Sequence, residues 1–277
     1  MKSKPLSGVE RDAARKLLHD DVRAAGALLL RYFGRALHVR RKGGHHSVVT
    51  AADVAVEKFL VRRIRARFPA HNILGEETGW HDRGSEFTWV IDPLDGTSNF
   101  AAGLPWFGVM LAVLRDAQPV MAAVYLPVTD TLYFTEKGRG VLRNGRRVRV
   151  SRATSLRDVL CAFALDPTPD RRQTRRNVVL LERLVTRSRN LRMTNCLVDF
   201  CSTVDGRLGA CLNQKTKIWD IAPFVLMLAE AGGVLTDQAG NPIRLELTGP
   251  PGVRDYSVVG GSRRLHRQVL ALIKRRV

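Results

Sequence analysis

Apolar residues recur every three to four positions in the first part of the chain and predict two helices. One covers residues 10–35. The other has the sequence AADVAVEKFLVRRIRARF, which follows Thr50 and ends near Pro69. Threonine is favourable at a helix N-cap, and Asp53 falls in the first turn of this second helix. We therefore expect the Asp53 carboxylate near the positive end of a helix dipole.

Short runs rich in β-branched and aromatic residues come next and predict strands. NILGEE and FTWVID are separated by the polar loop GWHDRGSE, and both runs end in acidic residues. Further β-rich runs lie at 107–114, 119–126, 131–135 and 256–260, and helical patterns recur near 174–187, 196–205, 219–231 and 262–275. The mixture predicts an α/β (α+β) fold of stacked sheets and helices.

Length and composition narrow the class of protein. The 277 residues fit one domain, 1–277, which could consist of two packed halves, 1–150 and 151–277. No run of eighteen uncharged apolar residues occurs, and the first residues are too polar for a secretory signal. We therefore expect a soluble, cytoplasmic protein without a membrane partner. The four cysteines form no metal-finger spacing and are predicted to be reduced and buried: Cys161, Cys196, Cys201 and Cys211.

The chain is strongly basic. Forty-five lysines and arginines against twenty-six aspartates and glutamates leave a formal charge of +19, which attracts polyanions and phosphorylated substrates. The basic residues lie in short clusters, such as those at 146–149 and 171–176, with almost no interleaved aromatic residues for stacking on bases. A nucleic-acid partner is thus possible, but the pattern favours a solvated basic face.

The segment WVIDPLDGTSNF at 89–100 is the first candidate site. A strand is expected to become a turn at Asp92, where Pro93 and Gly96 allow a sharp bend. The bend would aim the carboxylates of Asp92 and Asp95, together with the Leu94 carbonyl, at one point. Hard cations such as Mg²⁺ prefer oxygen ligands of this kind.

Thr97, Ser98 and Asn99 follow directly and could begin a helical turn. The free N–H groups of such a turn would form a phosphate cradle beside the metal. The alternative is an ordinary turn, because all residue types of this segment are common in turns.

Two further acidic segments support the metal site. Glu76 and Glu77 are adjacent carboxylates at the end of a predicted strand, and a bound cation would relieve their repulsion. Asp220 opens a helical pattern after Trp219. Asp220 could instead be a helix N-terminal acid that the dipole stabilises, but that interpretation leaves the other acids unexplained.

Three segments together resemble the signature segments of the inositol monophosphatase family. They are GEETG at 75–79, DPLDGTSNF at 92–100 and WDIAPFVLMLAEAGG at 219–233, and they occur in family order. The stretch VVTAADVAVEKFL resembles the family's helix that precedes the first signature. The resemblance implies a layered αβαβα sugar/inositol phosphatase fold, two or three Mg²⁺ ions, a small phosphorylated substrate and a homodimer.

The resemblance also assigns roles to individual residues. The implied metal ligands are four carboxylates and one carbonyl, from Glu76, Asp92, Leu94, Asp95 and Asp220. The implied phosphate contacts are Gly96, Thr97 and Ser98. Thr97 coupled to Asp53 would activate a water for direct in-line attack, with Glu76 as the other candidate base.

The substrate contacts depart from the family pattern. A small Gly-Ser-Ala-like turn is replaced by the run Thr194 to Leu197, and Gly209 stands where Asp is common. Asn213 replaces an acid that binds inositol hydroxyls, so we take Asn195 and Asn213 as candidate substrate-binding residues. Inositol or sugar monophosphates come first as substrates. Fructose 1,6-bisphosphate, histidinol phosphate and adenosine 3′,5′-bisphosphate are the alternatives.

Two other functional classes compete with this interpretation. Phosphatases of the haloacid dehalogenase kind use D-x-D-x-T, whereas two residues separate Asp92 from Asp95 here. The charge of +19 also suggests an RNA-associated scaffold with a vestigial metal site. Since every expected metal ligand is present, an active phosphatase is the prediction.

Overall fold

Within residues 6–34, 40–41, 48–49, 51–247 and 254–274, which the computed structural model describes, the chain forms eight helices and fifteen strands. The helices are α1 (Gly8–Lys16), α2 (Val22–Tyr32), α3 (Ala51–Arg67), α4 (Thr97–Ala101), α5 (Arg171–Arg187), α6 (Leu197–Val204), α7 (Ile218–Glu230) and α8 (Arg263–Lys274). Thr50, the predicted cap of the second helix, lies outside the described residues.

The strands form three sheets. They are β1 (Arg40–Arg41), β2 (Val48–Val49), β3 (Asn72–Gly75), β4 (Gly79–His81), β5 (Phe87–Asp95), β6 (Gly108–Arg115), β7 (Gln118–Leu126), β8 (Thr131–Glu136), β9 (Val141–Arg143), β10 (Arg146–Val148), β11 (Leu160–Ala164), β12 (Asn190–Arg192), β13 (Ala210–Thr216), β14 (Gly233–Asp237) and β15 (Tyr256–Ser262). The largest sheet has the order β10-β9-β8-β7-β6-β5-β3-β4, the second has the order β12-β11-β13-β15-β14, and β1 pairs with β2.

The first predicted helix is confirmed, with an irregular centre. A capping box starts α1, because Ser7 Oγ accepts from the Glu10 backbone N–H at 3.2 Å while Glu10 Oε2 accepts from the Ser7 N–H at 2.9 Å. A π-helical turn, Leu17–Asp21, then connects α1 to α2 without a break. The predicted second helix corresponds to α3.

Two strand predictions near the site are wrong in detail. The polar loop expected between the first two strands contains β4, which pairs with β3. β5 does not end at Asp92 but continues to Asp95, with a register shift against β6 between these two residues. Pro93 lies in that irregularity, where a residue without an N–H is tolerated. The turn comes instead at Gly96.

The two larger sheets and three helical layers alternate. Strand β6 shows why: Val109 and Leu111 pack with α1, α2 and α3, whereas Met110 and Ala112 face the core that also contains α6 and α7. A third core holds α5 and α8 against the outer face of the five-stranded sheet. The layered αβαβα fold is thereby confirmed.

The predicted division into halves stays a prediction, although position 150 falls between the two sheets, after β10 and before β11. All four cysteines are buried and unpaired. Among the described residues, no helix combines the length and the apolar character that crossing a membrane requires.

Candidate functional site

Three carboxylates from different parts of the chain meet at one place. Asp92 and Asp95 come from the irregular end of β5, and Asp220 comes from the first turn of α7. One oxygen of each lies within 4.8 Å of the others. Residues 128 positions apart in sequence, Asp92 and Asp220, are therefore brought together as predicted.

A backbone N–H holds each of these carboxylates in place. Asp92 Oδ1 accepts from the Leu94 N–H at 3.0 Å, and Asp95 Oδ1 accepts from the Leu197 N–H at 2.6 Å. Asp220 Oδ2 accepts from the Lys217 N–H at 2.7 Å. Asp220 thus caps the helix and also lies in the acidic cluster, and its role as a metal ligand stays a prediction.

The cluster favours a bound cation. Burial, followed by the charges of Glu76, Asp95 and Asp220, raises the pKa of Asp92 well above its usual range. Burial is also the main cause that raises the pKa of Asp95 to about 7 and that of Asp220 to about 8. Three carboxylates that destabilise one another's charged forms are a hard-oxygen donor set, and Mg²⁺ fits such a set.

Glu76 lies beside this cluster at the β3–β4 turn. It lines the same cleft, and its charge contributes to the raised pKa of both Asp92 and Asp95. The turn is held from below by α3: the buried Glu57 carboxylate accepts from the Glu77 N–H at 3.0 Å and from the Thr78 N–H at 2.6 Å. Glu57 therefore positions the turn that presents Glu76.

Sequence reasoning missed Glu57. Its packing also explains Gly75, because a Cβ at that position would overlap the Glu57 carboxylate. The available signal was an acidic residue on the apolar face of α3, one turn after Asp53.

The Thr97 hydroxyl lies between two acceptors. Thr97 Oγ1 is 2.9 Å from the Leu94 carbonyl oxygen and 3.3 Å from Asp53 Oδ1. Since a hydroxyl has one hydrogen, it can donate to only one of them at a time. The predicted helical turn is present as α4, and Gly96 before it has φ of 87°, a conformation that glycine adopts without strain.

The opposite rim comes from the five-stranded sheet and its loops. Lys215 and Lys217 lie there and form ion pairs with Asp255. The distance to a carboxylate oxygen of Asp255 is 3.6 Å from Lys215 Nζ and 2.7 Å from Lys217 Nζ. Asp166 follows β11 on the same rim, and burial raises its pKa. None of these four was predicted, although Asp166 repeats the pattern of an acid that closely follows a strand, two residues after the end of β11.

The predicted substrate contacts differ in their surroundings. Ser98 and Asn195 line the cleft. The side-chain amide of Asn195 donates to the Leu165 carbonyl at 2.7 Å and accepts from the Leu165 N–H at 3.2 Å. Asn213 accepts from the Lys215 N–H at 3.0 Å, and the described cleft lining includes Lys215 rather than Asn213. A direct substrate role for either asparagine stays a prediction.

Comparison with known proteins identifies the family of the chain. The model of the inositol monophosphatase family matches residues 11–277. A fructose-1,6-bisphosphatase/inositol-1-monophosphatase of Aquifex aeolicus is 32% identical over 91% of this chain and 92% of its own length. Inositol monophosphatase 2 of Solanum lycopersicum is 32% identical over 80% of this chain and 86% of its own. The crystal structure of extragenic suppressor protein suhB from Bartonella henselae superposes with a TM-score of 0.88 at 26% identity, covering 96% of this chain and 100% of that one.

Proposed function

The chain belongs to the inositol monophosphatase family of phosphoric monoester hydrolases, and on that premise we propose that it hydrolyses an inositol monophosphate or a related sugar monophosphate with Mg²⁺. The observation that carries the proposal is the convergence of Asp92, Asp95 and Asp220 within 4.8 Å. Glu76 and the Thr97 hydroxyl border the same cleft.

The carboxylates of Asp92, Asp95, Asp220 and Glu76, with the Leu94 carbonyl, would hold two or three Mg²⁺ ions. Bound Mg²⁺ supplies charge neutralisation at the phosphoryl oxygens and lowers the pKa of water. Ser98 and the backbone of Gly96 and Thr97 would orient the phosphate.

Proton movement is assigned to Thr97 and Asp53. The attacking water would donate to Thr97 Oγ1, whose own hydrogen shifts from the Leu94 carbonyl to Asp53 Oδ1, 3.3 Å away. As the water oxygen bonds to phosphorus, the bond from phosphorus to the ester oxygen breaks. The leaving oxygen takes a proton from a solvent water, and Asp53 then returns the proton it received to solvent. No covalent phosphoenzyme is required. Glu76 remains the alternative base.

A second substrate, fructose 1,6-bisphosphate, is favoured by one observation. Lys215 and Lys217 place two cations on the rim, where a second phosphate could replace Asp255 as their partner. The Aquifex aeolicus relative is named for both activities.

The test is phosphate release from inositol, sugar, histidinol and nucleotide phosphates, with Mg²⁺ or with EDTA, for the wild type and Asp95→Asn. Mg²⁺-dependent release that the variant loses is expected. Preference for the bisphosphate, lost in Lys215→Gln, would select the second substrate. A wild type that hydrolyses no compound of the panel would contradict the proposal and favour the vestigial-site scaffold.

We also propose a homodimer, as the family resemblance implies, and a cytoplasmic location. Light scattering on the purified chain tests the dimer, and a mass near 31 kDa, the mass of one chain, would contradict it.

A further inference from the structure

The outer layer formed by α5 and α8, here called the α5–α8 layer, is almost purely basic. The two helices carry ten lysines and arginines, of which nine are arginines, and a single acid, Glu182. Their apolar faces pack on the five-stranded sheet through residues such as Leu184 and Val269. The cations therefore point away from the core, and all but the half-buried Arg183 are exposed.

Among the described residues, no acidic side chain neutralises the exposed charges of this layer. Every aspartate and glutamate of the sequence falls in the described residues. Within that part of the chain, no carboxylate lies within salt-bridge distance of the nine exposed cations, which are Arg171, Arg172, Arg175, Arg176, Arg187, Arg263, Arg264, Arg267 and Lys274. Arg183 donates to the Leu272 carbonyl at 2.9 Å and ties the helices together.

Nine like charges on one face repel one another, so an anionic partner would stabilise the arrangement. We propose that the α5–α8 layer is a docking surface for a nucleic-acid duplex, bound through its phosphate backbone. This binding is separate from the phosphatase site and does not depend on it.

The chemistry of the layer favours a duplex over other polyanions. Arginine binds phosphate oxygens in a bidentate way, and the layer uses arginine almost throughout. α5 is 17 residues long, so it extends roughly 25 Å, and a duplex presents one phosphate charge about every 1.7 Å of its axis. Neither helix contains Phe, Tyr or Trp, and the one imidazole, that of His266, is buried. A single-stranded nucleic acid fits less well, because its bases need aromatic side chains to stack on. A membrane also fits less well, because amphipathic helices enter it through Trp and Phe.

The experiment is fluorescence anisotropy of the full chain with a labelled RNA duplex and a labelled DNA duplex, at salt concentrations from roughly 50 to 200 mM. The layer variant replaces four exposed arginines with glutamine: Arg172, Arg176, Arg264 and Arg267. The matched control replaces four exposed, unpaired cations elsewhere in the described residues with glutamine: Arg31, Lys58, Arg62 and Arg146. Both variants lose the same charge, and both should keep wild-type phosphatase activity.

We expect the wild type to bind at least one duplex, with affinity falling as salt rises. The affinity of the layer variant for the duplex should be about tenfold lower or more. The slope of log affinity against log salt concentration should become shallower by about 1 for each phosphate contact removed. The control should stay within about threefold of the wild type. Independently of any variant, a bound duplex should protect Arg172 and Arg264 of the wild type from phenylglyoxal, read by mass spectrometry.

Three results would overturn the proposal. One is no duplex binding by the wild type. Another is an equal loss in both variants, which would mean that net charge acts without a defined surface. The third is displacement of the duplex by vesicles containing anionic phospholipid at equal anionic charge, with vesicle binding weakened in the layer variant, which would assign the layer to a membrane.

Discussion

The two outer helical layers contain the same number of cations but use them in opposite ways. The layer formed by residues 8–32 and 51–67 holds ten lysines and arginines and six acids, whereas the α5–α8 layer holds ten and one. In the first layer the buried Asp21 carboxylate binds Arg63 at 2.8 Å and Arg67 at 2.9 Å. Glu136 of β8 binds Arg15 at 2.6 Å. Much of the charge of the first layer is thus paired within the fold, in contrast to that of the α5–α8 layer.

The inner face of the first layer also supports the active site. α3 contributes Asp53, near the Thr97 hydroxyl, and Glu57, which holds the turn that presents Glu76. Its charges are therefore used for folding and chemistry. Within the described residues, the exposed cations of the α5–α8 layer do not support the active site. Substituting them should therefore weaken binding of the proposed partner and leave phosphatase activity unchanged.

The largest expected effect is that of Asp92→Asn. The amide would remove one of the carboxylates that would hold Mg²⁺, and kcat should fall more than tenfold, a barrier increase above roughly 1.4 kcal/mol. The Asn side-chain oxygen can still accept from the Leu94 N–H, so the fold should persist. Thermal unfolding in EDTA should occur at the wild-type temperature or higher, because a buried repulsive charge is gone.

Glu182→Gln in the α5–α8 layer is the matched control. It also replaces one carboxylate by an amide, but Glu182 takes no part in the proposed chemistry, so kcat should not change. Asp92→Asn protein that retains more than about a tenth of wild-type kcat would contradict the assignment of Asp92.

The next largest effect is that of Glu57→Ala. The change leaves the N–H groups of Glu77 and Thr78 without their carboxylate acceptor, at a cost of about 3 kcal/mol in the free energy of unfolding. kcat should fall too, because Glu76 loses its support. Urea unfolding measures the stability, and steady-state kinetics measure kcat.

Asn177→Ala in α5 is the control. It removes a buried side chain that accepts from Gln173 at 2.8 Å, and should lower the free energy of unfolding by about 1 kcal/mol without any change in kcat. Equal kcat losses in the two variants would show that Glu57 has no positioning role.

The contrast between Asp92 and Glu57 shows what the sequence could predict. Asp92 and Asp95 lie near the end of an apolar strand, Asp220 lies at the start of a helix, and these local patterns are visible in the sequence. The structure brings the three residues together. Glu57 acts only because α3 packs below the β3–β4 turn, a tertiary contact without a local pattern. Periodicity also missed β13, because its second half, Asn213 to Thr216, is polar where it reaches the cleft rim.

The two layers should also differ in how a lost charge affects stability. Asp21→Asn breaks two ion pairs of a buried carboxylate, but both arginines are partly exposed, so we expect a loss of about 1–2 kcal/mol in the free energy of unfolding. Arg176→Gln removes an unpaired cation and should lie within about 0.5 kcal/mol of the wild type. A large loss in Arg176→Gln would reveal an internal role for that charge and would weaken the comparison.

The smallest effect separates the layers by pH. Burial lowers the pKa of His71, beside the first layer, and of His266 in α8. The unfolded histidines have a pKa of about 6.5, so each contributes stability that is present above this value and is lost as pH falls below it, by at most about 1.4 kcal/mol per pH unit. Protonation of His71 Nδ1 would also break the bond donated by the Trp89 indole N–H at 3.1 Å.

Salt should distinguish the two histidines. Arg263 further lowers the pKa of His266, whereas opposing charges act on His71, from Glu10 and Glu86 on one side and Arg65 on the other. Screening by salt should therefore raise the pKa of His266 and reduce the loss of stability that its protonation causes at low pH. The pKa of His71 should change little. Urea unfolding between about pH 7 and pH 5 at low and high salt, in His71→Asn and His266→Asn, measures this. Because the repulsion at His266 comes from an unpaired cation of the α5–α8 layer, equal salt responses would mean that the layer is already neutralised by bound anions.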